Sequence, residues 1–257
     1  EKAMSSNTNF MLAIENLTVS FDGFKAIEDL NFYMDESELR VIIGPNGAGK
    51  TTLVNQIGGV LRSDSGRIHL NGVNVTDWPS HRRVGHGLIR TFQISRLAPD
   101  IPALDQVALA IHQRDGSIGH MWRNKNAYTA VIEEAEHILA DLQLSRVARH
   151  TPAEMAYGDQ RLVEIALALA LKPKVLLLDE PMAGVPRSEA QLVLDALDKL
   201  PADLAVVIIE HDMDLVFRFA QRILVLANGA VLADGTPDEI RRNEVVRSVY
   251  LGSEAQV

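Results

Sequence analysis

The stretch Gly44-Pro45-Asn46-Gly47-Ala48-Gly49-Lys50-Thr51-Thr52 limits what this chain can be more than any other, because it satisfies G-x-x-x-x-G-K-[ST] at every fixed position. A polyphosphate needs many donors at close range, and backbone N–H groups reach it only where side chains are absent. Hence the glycines. A helix opening directly behind the loop adds the partial positive charge of its N-terminus. Lys50 supplies a point charge for the β- and γ-phosphates, and the Thr51 hydroxyl is placed to ligate Mg²⁺. The flanks agree with this reading. Leu39 to Ile43 reads as a buried strand, and Lys50 to Leu61 carries Leu53, Ile57, Val60 and Leu61 at helical spacing.

With 257 residues, 47% of them hydrophobic, the chain can build one large α/β domain with a sub-domain. No apolar run reaches the ~18–20 residues of a membrane span. The richest one, Leu162 to Leu178, is cut by Glu164, Lys172, Pro173 and Lys174. Cysteine is absent, which excludes disulfides and suits a cytoplasmic setting. The formal charge of −9 argues against nucleic acid as the main partner, since that binding rests on a basic surface. Residues 1–10, with Met4 inside them, lack the pattern of a signal peptide and read as a tail that is partly an expression remnant.

Phe10 to Val19 and Ala26 to Met34 read as strands joined by turn chemistry at Asp22-Gly23, an antiparallel element ahead of the phosphate loop. Phe21 closes the first strand, where it is either a base-stacking aromatic or a strand-end core residue. After the loop helix come a second small hairpin through Asn71-Gly72, a short helix at Pro79 to Val84 and a strand from Gly85 to Phe92. That strand runs into Gln93 at a junction. From residue 94 to 161 the character turns helical, with an amphipathic helix over Ala127 to Leu142, and no internal repeat is present. A further helix covers Gln160 to Leu171.

Val175-Leu176-Leu177-Leu178 reads as a fully buried strand, followed at once by Asp179-Glu180. Ligands of open α/β sheets sit off the carboxyl ends of strands. Downstream of a phosphate loop, this acid pair matches a second nucleotide motif in which Asp179 holds Mg²⁺ and Glu180 polarises the attacking water. Ser188 to Leu200 reads as a helix, and Leu204 to Ile209 as a strand closed by Glu210-His211-Asp212. A lone histidine is usually structural; one sharing an edge with Lys50 and Glu180 is placed to touch the γ-phosphate or to orient the catalytic water. A hairpin through Asn228-Gly229 and short helices from Pro237 to Leu251 end the chain.

With the phosphate loop, Gln93, an inserted helical region, Asp179-Glu180 and His211 in this order, the sequence resembles the ATPase subunits of ABC transporters from about residue 11 to 252. The resemblance implies an α/β P-loop NTPase core of the RecA type with an N-terminal antiparallel β element. Residues 11–93 and 162–257 would form the catalytic core, and 94–161 the helical sub-domain with the signature loop. That loop, usually Leu-Ser-Gly-Gly-Gln in the family, reads Met155-Ala156-Tyr157-Gly158-Asp159-Gln160-Arg161 here. The Tyr before Gly158, the run Ile209-Glu210-His211-Asp212-Met213 and the terminal Tyr250-Leu251-Gly252 look like the branch that imports branched-chain amino acids and related solutes.

The resemblance further implies a head-to-tail dimer, with itself or with a sister ATPase. Each of two ATP molecules would lie between the phosphate loop of one subunit and Ala156, Tyr157, Gly158, Asp159 and Gln160 of the other. Phe21 would stack on adenine, and Gln93 would sense the γ-phosphate and Mg²⁺ and report to integral membrane permease subunits at the cytoplasmic face. A solute-binding receptor would be an indirect partner. Two departures stand out: Ala156 lacks the hydroxyl that commonly reaches the γ-phosphate, and Pro186 replaces an Asp or Asn. A lipid or lipopolysaccharide exporter and a non-transport ABC ATPase are the alternatives. DNA-repair members carry a long coiled coil that the roughly hundred residues between Lys50 and Gly158 cannot hold, and translation members usually carry two ATPase halves. A regulator without turnover fits poorly with intact Glu180 and His211.

Overall fold

In the computed structural model, which describes residues 10–91, 97–116 and 125–251, the chain divides into two units. The first takes Glu1–Leu88, Lys174–Leu178 and Asp203–Val257; the second takes Ile89–Pro173 and Asp179–Ala202.

The first unit starts with β1 (Leu12–Phe21) and β2 (Phe24–Met34), paired antiparallel from Leu12↔Met34 to Phe21↔Phe24. Asp22 and Gly23 between them take φ values of 49° and 86°, the left-handed pair that matches the twist of a two-residue hairpin. β4 (Ser65–Leu70) pairs with the other side of β1, and β5 (Val73–Asn74) follows through Asn71-Gly72. The second sheet has the order β10 (Ala230–Gly235), β9 (Arg222–Ala227), β3 (Leu39–Ile43), β8 (Ala205–Ile209), β7 (Val175–Asp179), β6 (Leu88–Arg90) among the described residues. Its central strand β3 runs parallel to β8 on one side and to β9 on the other. β10 returns antiparallel to β9.

Strand starts are level. Val206 N donates to Glu38 O just before β3, and Ala205 N donates to Lys174 O just before β7 (Val175–Asp179). Because β3, β7 and β8 each have five residues, their carboxyl ends leave the sheet at one edge. Ile42, Leu177, Val207 and Leu224 of this sheet form one core cluster with Leu30 and Phe32 of β2 and with Leu53 and Ile57 of α1 (Lys50–Ile57).

Helix α1 is shorter than its apolar spacing predicts. It ends at Gly58, Gly59 turns left-handed and Val60 is 65% exposed, while Leu61, past the helix, still packs half-buried against the core. The stop is built by Arg83 of α2 (Ser80–Gly85), a fully buried side chain. Its guanidinium donates to Gln56 O and Ile57 O, the last carbonyls of α1, and to Thr76 O and Trp78 O. Burial pushes its pKa down to about 10, with Asp77 opposing. The predicted strand Gly85 to Phe92 contracts to β6 (Leu88–Arg90), because Gly85 completes α2 and Gly87 (φ 99°) turns the chain; Phe92 lies outside the described residues. Helix α7 (Met213–Phe219), which the sequence reading did not anticipate, starts at Asp212, whose side chain accepts from Leu215 N. Helices α8 (Pro237–Arg242), opened by a Thr236–Glu239 capping box, and α9 (Glu244–Val246) precede a π turn at Arg247–Leu251.

In the second unit α3 (Ala103–Arg114), α4 (Lys125–Asp141) and α5 (Tyr157–Ala170) bury Val107 and Ile111, Ala135 and Leu139, and Leu162 and Ala166 respectively. Arg114 binds Glu134 at 2.7 Å and donates to Ala170 O, while Lys172 reaches Glu134 at 3.0 Å, so one ion cluster spans all three helices. α5 starts at Tyr157, three residues before the predicted Gln160, and α6 (Arg187–Leu197) ends three residues before the predicted Leu200.

Candidate active site

In the first unit the phosphate loop is wedged between three elements. A Cβ on Gly44 would fall 2.4 Å from Leu226 O of β9, and one on Gly49 (φ 100°) would fall 2.6 Å from Ala26 O of β2. Both positions therefore demand glycine for packing before any phosphate is considered. Gly229 N donates to Ala48 O, and Glu28 N donates to Gly229 O, so the β9–β10 turn pins the loop to β2. Pro45, Asn46 and Gly47 are exposed, as is Thr51; Thr52 is half-buried. Lys50 Nζ donates to Gly44 O at 2.6 Å and to Pro45 O at 3.1 Å, which holds the ammonium over the loop's own backbone. No side chain caps α1 at Gly49. An exposed glycine loop, a helix start and a positioned ammonium form the donor set that a polyphosphate requires.

The β3–β8 ladder continues one step past its strand, since Glu210 N donates to Ile42 O at 3.4 Å. His211 follows at the edge where the loop begins, with a side chain 62% exposed. Its backbone N donates to Glu210 Oε2 at 3.1 Å, and Nδ1 lies 3.9 Å from the same oxygen. Glu210 is buried and was not a candidate in the sequence reading; only the tertiary fold reveals a carboxylate that braces the histidine. Phe21 is 46% exposed, as a base-stacking residue must be, and its cross-strand partner Phe24 is 65% exposed. Phe24 carries no sequence signal beyond its place after the turn.

In the second unit the buried Asp179 accepts from the half-buried Arg90 Nη2 at 2.7 Å. Glu180 takes φ 49°, a left-handed conformation rare for a residue with a long side chain, and its carbonyl accepts from Ala183 N. Such local strain gathers at functional sites. Gln93 lies outside the described residues.

The signature stretch forms the N-terminus of α5. Ala156 is the N-cap and provides no side-chain bond. Tyr157 Oη accepts from Arg161 Nη2 at 3.1 Å, and Gly158 N donates to Glu189 Oε2 of α6 at 2.7 Å. Asp159 is buried against Arg146 at 2.8 Å, and Gln160 Nε2 donates to Pro152 O and Met155 O. The side chains of Asp159 and Gln160 thus hold the loop through hydrogen bonds inside their own unit.

Comparison with known proteins agrees with this geometry. A family model described as ABC transporter matches residues 27–183, and one described as branched-chain amino acid ATP-binding cassette transporter matches residues 230–256. The high-affinity branched-chain amino acid transport ATP-binding protein BraF of Pseudomonas aeruginosa is 34% identical over 249 residues, covering 94% of this chain and 98% of the relative. The ADP conformation of an ATP-binding cassette of an ABC transporter superposes with a TM-score of 0.81 at 28% identity, over 95% of this chain and 100% of that one. A dimeric bacterial ABC transporter cassette gives 0.73 at 26% identity, over 88% and 99%. The chain belongs to the ATP-hydrolysing subunits of ABC transporters, and its fold is that of a P-loop NTPase.

Proposed function

We propose that this subunit is the motor of an importer for branched-chain amino acids or related small solutes, bound peripherally at the cytoplasmic face of the membrane. The observation that carries the reading is the joint presence of the phosphate loop and of a C-terminal segment, 230–256, that matches the branched-chain cassette family. That segment favours import over the lipid-export and non-transport alternatives. Among the described residues no helix is long and apolar enough to cross a membrane, so membrane anchorage falls to permease subunits.

In this reading the amides of residues 44–49, with Lys50 and Thr52, hold the ATP phosphates, and Phe21 stacks on the base. By the same resemblance Thr51, Asp179 and Gln93 would hold Mg²⁺, which would supply charge neutralisation for the phosphates. Glu180 accepts a hydrogen bond from the attacking water and draws its proton, and His211 orients that water or touches the γ-phosphate. Residues 11–93 and 162–257 act as the catalytic core and 94–161 as the helical sub-domain that receives the permease. A second ATPase subunit, identical or a sister, pairs head-to-tail, and an external receptor delivers the solute.

The test is to tag the chain in its native host, solubilise membranes in mild detergent and identify what co-purifies, together with uptake of labelled leucine in a deletion strain. Polytopic membrane subunits and lost uptake are expected. Recovery only with ribosomal or DNA-associated proteins overturns the transport reading.

A further inference from the structure

The N-terminus of α5 already holds an anion. Gly158 N donates to Glu189 Oε2 at 2.7 Å, and a Cβ on Gly158 would lie 3.0 Å from the same oxygen. A helix start of 14 residues concentrates unsatisfied N–H groups and positive partial charge, and its own N-cap, Ala156, satisfies none of them. The neighbouring groups are engaged elsewhere: Tyr157 Oη by Arg161, Asp159 by Arg146, and Gln160 by Pro152 O and Met155 O. Arg161 Nη2 also reaches Ala183 O, and a Cβ on Gly184 would meet the Tyr157 ring at 3.2 Å, so the turn that carries α6 is fixed against the helix start. Glu189, half-buried, is the group there whose release would free a backbone amide for an incoming oxyanion.

We propose that Glu189 is an internal stand-in for a phosphate. It occupies the signature helix in the free subunit and gives way when the nucleotide held by the second ATPase subunit arrives, which makes it a positioning residue that sets the ATP level at which the subunits close. The inference rests on the functional reading above. Ala156 makes the device effective: without a hydroxyl at the N-cap, the amide of Gly158 is the principal attachment point, and a carboxylate competes with a phosphate for it directly. Competition of one charge-assisted hydrogen bond lowers apparent nucleotide affinity across the interface by about tenfold.

The experiment compares the transporter purified from native membranes in its parent form, with Glu189→Ala and with Glu189→Gln, reading the half-saturating ATP for hydrolysis beside kcat. It also measures ATP binding to each isolated chain by calorimetry. The expected result is a fall of about tenfold in half-saturating ATP for Glu189→Ala. Glu189→Gln, whose uncharged oxygen still accepts from Gly158 N, should shift it in the same direction by less, with calorimetric affinity unchanged in both. A half-saturation that is unchanged or raised in Glu189→Ala, or restored to the parent value by Glu189→Gln, makes Glu189 a plain helix cap and overturns the inference while leaving the motor assignment standing. A parent chain that binds no ATP overturns both.

Discussion

Arg90 Nη2 lies 2.7 Å from Asp179 Oδ2 in the second unit, where the carboxylate is buried and the guanidinium half-buried, 6% and 14% exposed. The acid that ends the Val-Leu-Leu-Leu strand is thus charge-balanced inside the protein. Removing the arginine leaves the buried Asp179 charge without compensation. Arg90→Met should lower unfolding free energy by about 3 kcal/mol in urea titrations; a loss under ~1 kcal/mol would mean that solvent screens the pair.

Lys50 and Glu180 separate binding from chemistry. Lys50→Ala removes the ammonium now resting on Gly44 O and Pro45 O, and ATP affinity measured by calorimetry should fall roughly tenfold or more. Unchanged affinity would count against the loop as the phosphate site.

Glu180→Gln keeps the side chain's size and should keep ATP affinity. It loses the proton acceptor, so steady-state hydrolysis should fall at least about 100-fold. Turnover comparable to the parent would remove Glu180 from the catalytic role.

Phe21 and Phe24 flank one hairpin turn and both face solvent, which makes each the other's control. Phe21→Ala should cost about 1–3 kcal/mol of nucleotide binding by removing a stacking face, and Phe24→Ala should cost little. The opposite pattern would move base stacking to Phe24.

Arg114, and to a lesser degree Lys172, hold the Glu134 carboxyl at a pKa of about 2 against burial, below its ordinary 4.5. A depressed carboxylate pKa stabilises the fold above the unfolded value. That contribution is present above pH 4.5 and is lost as pH falls from 4.5 towards 2. Glu134→Gln should therefore cost about 1 kcal/mol at neutral pH, after allowance for solvent screening at this partly exposed site. The difference from the parent should vanish by about pH 2, as followed by thermal melts across that range. A pH-independent difference would assign the loss to packing.

Chain order by itself determined the nucleotide chemistry. Glycine spacing, Lys50-Thr51, four aliphatics before Asp179-Glu180 and a histidine after Ile209 are local patterns, and local patterns survive without knowledge of distant contacts. The hairpins were legible for the same reason, since Asp22-Gly23, Asn71-Gly72 and Asn228-Gly229 provide positive φ at the turns themselves. Tertiary structure decided what depends on residues far apart in sequence. Arg83 ends α1 from 26 residues downstream, against an apolar spacing that favoured four more residues of helix. The burial of Asp159 required Arg146, the bracing of His211 required burial of Glu210, and the occupied start of α5 required Glu189 from another helix. A buried hydrogen-bond partner is chosen by three-dimensional proximity and desolvation, and neither has a fixed offset along the chain.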